Sequence, residues 1–167
     1  MAKYQDSSST AYWIIGIVIV VSFLVIGFLA FRGSTPSMSS KTNRQVALTC
    51  TTDMATQFHI HPVLKIVING ETQEIPTRIG VNPNCMNSLH THDNSGVIHT
   101  EAPEKRDFTL SDFFAVWNKT FTKDQILDYR VDDKHIIKET VNGNVVQDYE
   151  NTTLRDKDEI VISYEAK

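Results

Sequence analysis

Five of the six histidines lie between positions 59 and 99, and they recur two residues apart: His59-Ile-His61, His90-Thr-His92, then His99-Thr-Glu101. Neutral imidazole is a common metal ligand, and its protonation near pH 6.5 also makes it a switch. In a strand, residues two apart point to the same side at about 6.5–7 Å, so both imidazoles of a pair can lean onto one ion. Each pair is half a site. Leu89-His-Thr-His92 and Val97-Ile-His-Thr100 flank Asp93-Asn-Ser-Gly96 and are expected to form two strands around a four-residue turn. In the simplest register His90 faces His99, Thr91 faces Ile98 and His92 faces Val97. His90, His92 and His99 then share one face, with Leu89 and Ile98 on the other. Thr91 and Thr100 also fall on that other face and are expected to be replaceable by valine with little change in metal affinity.

Three imidazoles from one hairpin are the ligand set of a catalytic zinc or of a copper site, and Asp93, Glu101, His59 or His61 could complete it. Copper or zinc is therefore the expected cofactor. A protonation-dependent switch and a solvated strand face are the competing readings. His135, alone beside Asp132-Asp133-Lys134, reads as surface. Ser88 and Ser95 lie near histidines without an orienting acid at a recognisable spacing, and no nucleophile elbow, phosphate loop, Cys-x-x-Cys or His-Glu-x-x-His is present.

The two cysteines, Cys50 and Cys85, are too few for a four-thiolate zinc site or a disulfide-stapled scaffold. A bridge between them would close a loop of about 35 residues, worth about 3–4 kcal/mol in the chain-entropy model. The alternative is Cys85, with Met86, as soft copper ligands.

The 167 residues carry a formal net charge of −4, with sixteen Lys+Arg against twenty Asp+Glu. No basic cluster supplies the field that phosphate binding needs, which sets nucleic acid aside as a partner. The length fits one folded domain. The first residues belong to another solvent. Ala11 to Phe31 is uncharged throughout, about 31 Å of helix against a hydrocarbon core of about 30 Å. The expected organisation is a tail over 1–10, a transmembrane helix over 11–32, a Ser/Thr/Gly/Pro-rich linker over 33–44 and a His-rich domain over 45–167. The membrane is thus one expected partner, through a single-pass anchor.

Orientation is argued from both sides. Arg32, Lys41 and Arg44 follow the apolar run where only Lys3 precedes it, which favours a cytoplasmic C-terminal domain. The histidine-rich composition, the sequons Asn118-Lys-Thr120 and Asn151-Thr-Thr153, and the Cys50–Cys85 bridge favour a domain outside the cytoplasm, the orientation adopted here.

The elements that must position the histidines are mostly strands. His61 to Ile68, Asn69-Gly70 and Glu71 to Ile75 read as a hairpin, and a second Asn-Gly at Asn142-Gly143 joins Ile136–Val141 to Asn144–Tyr149. Asp158 to Tyr164 is a last strand. Leu110, Phe113, Phe114 and Trp117 fall on one helical face, with Thr109 as N-cap, Asp112 three residues later and Asn118 at the C-terminus. They are expected to be core. A short helical turn is expected at Thr122, and Val46 to Phe58 fits either a short helix or a strand. The sum is an α+β domain, with one main helix over a mixed sheet, in the element order of the β-grasp fold.

The run Val141-Asn-Gly-Asn to Leu154-Arg-Asp-Lys-Asp-Glu-Ile-Val-Ile162 resembles the end of β-grasp sulfur carriers, but it leads to Tyr164-Glu-Ala-Lys167 where those end in Gly-Gly, so conjugation is not expected. A longer stretch is similar to a family of small secreted or membrane-anchored prokaryotic, notably archaeal, domains of unassigned function. It is carried by His59-Ile-His61, Ile79-Gly80, Leu89-His-Thr-His-Asp with Ser95-Gly-Val-Ile-His-Thr-Glu101, and Phe108-Thr-Leu-Ser-Asp-Phe-Phe-Ala-Val-Trp117. That resemblance implies an extracytoplasmic location and supplies no activity. The functional expectation is a membrane-anchored metal carrier or an accessory subunit of a membrane metalloenzyme. The alternatives are a three-His zinc hydrolase or hydratase, with Glu101 as base or supporting group, and a metal-free cell-surface interaction module.

Overall fold

A computed structural model describes residues 12–14, 17–23, 40–52 and 56–167. The chain divides into two compact units, Met1–Pro36 and Ser37–Lys167. In the first, residues 12–14 and 17–23 are helical and their apolar side chains are exposed. Among the described residues no helix is long and apolar enough to cross a membrane, and most of the span expected over 11–32, like the linker up to residue 39, lies outside them.

The second unit is an α+β fold with several small sheets and few helices. In chain order its elements are α1 (Asn43–Leu48), β1 (Cys50–Thr51), β2 (Phe58–Ile60), β3 (Val63–Ile68), β4 (Glu71–Gln73), β5 (Val81–Asn82), β6 (Cys85–Asn87), β7 (Leu89–His90) and β8 (His99–Ala102). There follow α2 (Leu110–Trp117), β9 (Phe121–Thr122), β10 (Gln125–Ile126), β11 (Tyr129–Arg130), β12 (His135–Val141), β13 (Asn144–Val146), a 3-10 turn (Tyr149–Asn151) and β14 (Glu159–Ala166).

The main sheet has the order β13-β12-β14-β3-β4, antiparallel except for the parallel pair β14–β3. Its two edge hairpins turn at the Asn-Gly dipeptides the sequence marks, with both residues of each at positive φ: 52° and 88° at Asn69-Gly70, 53° and 79° at Asn142-Gly143. Alternation along β3 and β14 sends Leu64, Ile66 and Ile68 with Ile160, Ile162 and Tyr164 to one buried face, so a single apolar layer covers this sheet.

Helix α2 forms where its period predicts. The Thr109 amide donates to the Asp112 carboxylate at 3.1 Å, and Asn118 ends the helix in the left-handed region. Leu110, Phe113 and Phe114 are buried in the same cluster as the sheet residues. Trp117, the last helical residue, is only partly buried and packs against the core beside Phe113 and Phe114. Asp112 also binds Arg44 at 3.2 Å, fastening α1 to α2. The stretch left open between helix and strand from Val46 resolves as both: α1, opened by a Thr42–Gln45 capping box, then β1 after Thr49. The turn expected at Thr122 is not helical; β9, β10 and β11 form a three-stranded meander there, with Phe121 packing on Phe114.

Burial separates the aromatic positions energetically. Phe113→Ala is expected to cost about 3–5 kcal/mol, as for a fully buried aromatic, and Trp117→Ala clearly less. Urea unfolding of the two variants checks this, and equal costs would place Trp117 in the core after all.

Candidate metal centre

Three short strands build the site, in the order β2-β8-β7 with β8 central and antiparallel to both neighbours. His59 pairs with Glu101 and His90 with His99. Residues directly opposite in a ladder share a face, and so do residues two apart along a strand. His59, His90, His99 and Glu101 therefore stand on one side, while Thr100 and Ala102 point into the core. His61, one residue past β2, extends the same row, and His92 lies two residues past His90.

The five rings meet around His99. Its centroid lies 4.5 Å from His92, 4.8 Å from His61, 5.4 Å from His90 and 5.9 Å from His59. Two three-His groups have nitrogen atoms close enough to hold an ion: His90, His92 and His99, and His59, His61 and His99, with all ligand atoms of a group within 4.8 Å of one another. The Nε2 atoms of His90 and His92 are 3.2 Å apart. Two nitrogens bound to one zinc at about 2.0–2.1 Å and a tetrahedral angle would be about 3.3 Å apart, so this pair already sits at ligand spacing.

The remaining ring nitrogens have partners of the kind that orient metal-bound histidines. His90 Nδ1 lies 3.0 Å from the Asn87 carbonyl, which can only accept, so Nδ1 carries the proton and Nε2 keeps its lone pair toward the cluster. His59 Nε2 lies 3.1 Å from the Glu101 carboxylate, leaving Nδ1 for the site. His61 Nδ1 is 3.9 Å from Asp156, a looser contact, and the same carboxylate accepts the His61 backbone amide at 3.0 Å. Glu101 thus holds a histidine and lies outside both three-His groups. Asp93 lies outside them too: one of its oxygens accepts the Ser95 amide at 2.9 Å and the Ser95 hydroxyl at 2.5 Å, and these bonds lower its pKa.

The disulfide reaches the site through Asn87. Cys50 and Cys85 are bonded, with Cα atoms 5.4 Å apart, which removes Cys85 as a copper ligand. The bridge lies in the small sheet β1-β6-β5, where Cys50 pairs with Asn87. The Asn87 side chain donates to the Ala47 carbonyl at 2.9 Å, so the residue whose carbonyl sets the His90 tautomer is itself held at both ends.

The ladder stops earlier than the simplest register requires. Beyond His90↔His99 the two arms part, so neither Thr91↔Ile98 nor His92↔Val97 forms. Thr91 is drawn to the loop before β5: its hydroxyl donates to the Pro76 carbonyl at 2.8 Å and accepts the Ile79 amide at 3.0 Å. The other arm is drawn to β3, where Val97 bridges Val63 and the Leu64 amide donates to the Gly96 carbonyl at 2.9 Å. Gly96 permits that approach, because a Cβ there would stand 2.2 Å from the Leu64 carbonyl oxygen and φ is +86°. Backbone groups that find buried partners elsewhere do not continue a hairpin. Thr91 is consequently not a free position, whereas the buried Thr100 hydroxyl has no partner. Thr91→Val is expected to destabilise by about 1–3 kcal/mol and Thr100→Val by nothing measurable. Equal urea midpoints for the two variants would contradict this bonding.

Burial fixes the protonation of the inner rings. Desolvation lowers the pKa of His90, partly offset by the Asn87 carbonyl and by Glu101. It lowers His99 to about 4, with His92, His61, His90 and His59 adding repulsion. Both are neutral at pH 7, the form that binds metal. His135 stands apart, its Nδ1 2.9 Å from Asp132 and its ring stacked on Tyr164.

Both inner imidazoles bind protons more weakly folded than unfolded, so their stabilisation is complete above about pH 6.5 and falls as pH drops toward 4. Glu139 acts in the opposite sense. Its carboxyl is buried in β12 without a well-formed hydrogen bond, and desolvation raises it to about 7, moderated by the nearby Thr152 hydroxyl and Tyr149 backbone. In a Glu139→Gln background the metal-free chain is expected to lose stability steadily from pH 7 to pH 5. A flat or rising urea midpoint over that range would count against neutral inner histidines.

No family model, curated protein or solved structure matches the chain. The site's chemistry is therefore argued from its own residues.

Proposed function

We propose that this protein is a membrane-anchored, extracytoplasmic copper- or zinc-binding module that carries the ion or serves as an accessory subunit of a membrane metalloenzyme. The observation that carries this reading is the convergence of four other imidazoles on His99 at the protein surface. The side chains of His59 and His61 are each 42% exposed, and His92 is exposed as well. A site open to a partner suits passing an ion on, whereas a hydrolytic zinc needs an enclosed fourth position with a free base. Glu101, bonded to His59, supports a positioning role over that of a base. The Cys50–Cys85 disulfide supports an oxidising compartment, and the exposed apolar helix over residues 17–23 supports an anchor. The sheet order and central parallel pair, with α2 between the two edge hairpins, support a β-grasp core onto which the His-bearing strands β2, β7 and β8 are added.

Elemental analysis of the full chain, purified in detergent from an oxidising compartment, tests the reading. Copper or zinc is expected at stoichiometric level, retained by His135→Ala and weakened at least ~10-fold by His99→Gln in chelator competition at pH 7.5. Affinity is expected to fall as pH drops, because protons compete with the ion for the same imidazole nitrogens. A wild-type chain that takes up neither metal would leave the metal-free interaction module as the reading.

A further inference from the structure

The two three-His groups share one residue, and that constrains how an ion can occupy them. We propose that the five histidines are two overlapping stations for a single ion: an inner, retaining station of His90, His92 and His99, and an outer, releasing station of His59, His61 and His99. This rests on the metal-carrier reading above and specifies how that site hands over its ion.

Single occupancy follows from charge. Neither group contains an anionic ligand. The nearby carboxylates are already engaged, Glu101 by His59 and Asp93 by Ser95. Two divalent ions sharing the His99 imidazole would repel each other at close range with nothing between them to neutralise the charge. One ion leaves the second group empty and available.

The two stations differ in how firmly their ligands are held. His90 is fully buried, with its Nδ1 proton committed to the Asn87 carbonyl and its Nε2 already at ligand spacing from His92. Little has to be ordered for an ion to bind there. His59 and His61 lie on the open edge of the three-stranded sheet, next to each other at 4.3 Å between centroids, and His61 has only its 3.9 Å contact to Asp156 behind it. An ion can exchange His90 and His92 for His59 and His61 while His99 stays in reach of both pairs. The exchange replaces one pair of imidazole nitrogens by another, so the ion's charge and oxidation state are unchanged. The outer pair then presents the ion to an acceptor that supplies nitrogen or sulfur ligands of its own.

The test uses the full chain in detergent, loaded with Zn(II), with release followed by stopped flow into a chromogenic chelator. All four substituted residues are exposed or half-exposed, so folding is little disturbed, and an unchanged cooperative melt verifies it. Wild type is expected to bind one ion per chain. His92→Ala is expected to keep one ion with affinity reduced ~10- to 100-fold, held by the outer group. The double variant His59→Ala/His61→Ala is expected to keep one ion at near wild-type affinity and to release it at least ~10-fold more slowly. His99→Gln is expected to lose tight binding altogether. Two ions bound at once to wild type, or an unchanged release rate in the double variant, would overturn the two-station arrangement while leaving metal binding intact. A wild type that binds no Zn(II) or copper would instead overturn the metal reading itself.

Discussion

The register of β8 is the constraint on which the site depends. His99 and Glu101 face the cluster only because Thr100 and Ala102 face the core, and a slip of one residue would exchange the two pairs. Burial of Ala102 and Thr100, together with Leu89 opposite Thr100 and Ile60 on the other flank, sets that register through ordinary apolar packing. The core therefore decides where the histidines stand. Because β8 is the middle strand, its histidine is the one residue that both neighbouring strands can reach, which is why His99 belongs to both groups.

Keeping His90 and His99 uncharged has an energetic side that the surrounding structure must bear. A buried imidazole with an unsatisfied nitrogen is unfavourable, and repulsion among five rings would rise with every proton bound. The structure answers the first problem with the Asn87 carbonyl, held in place by the disulfide-linked hairpin and by Ala47 of α1. The second is answered by the lowered proton affinity of His90 and His99, so that at neutral pH the inner rings present a set of lone pairs. A cation is the natural complement of such a set. The same residues in a metal-free structural role would leave the His90 lone pair facing another imidazole at 3.2 Å, a contact that then needs His92 to supply the proton.

Much of the fold was legible because its signals are local. Both Asn-Gly hairpins, the last strand and α2 with its Thr109 and Asn118 termini follow from turn chemistry and periodicity over a few residues. The capping box at Thr42–Gln45 is an equally local signal, a threonine followed three residues later by glutamine at the end of the expected linker. The site was legible in part. The pairing His90↔His99 could be read from the hairpin spacing, but the divergence of its arms could not, because Arg78, Ile79 and Leu64 capture those backbone groups from elsewhere in the fold. The adjacency of β2 to β8 left a trace in retrospect: His59-Ile-His61 and His99-Thr-Glu101 are complementary in antiparallel register, placing His59 opposite Glu101. The Asn87 carbonyl left none, since a backbone oxygen carries no side-chain signature.

The attachment of this small sheet to the large one bears on what the site can do. Only Pro62 separates His61 from β3, the strand that pairs in parallel with β14, and Pro62 is itself buried with its carbonyl accepting the Ile98 amide at 2.9 Å. His61 also leans on Asp156 in the loop that enters β14. The His61 end of the outer pair is thus referred twice to the most extensive hydrogen-bonded part of the domain, while the imidazoles of His59 and His61 remain open to solvent. Rigid backbone beneath exposed donors allows a ligand to be presented without being enclosed. An enclosed site would favour chemistry on a bound substrate; donors left open to solvent fit the carrier role proposed above, in which an acceptor's own ligands would complete the ion's coordination.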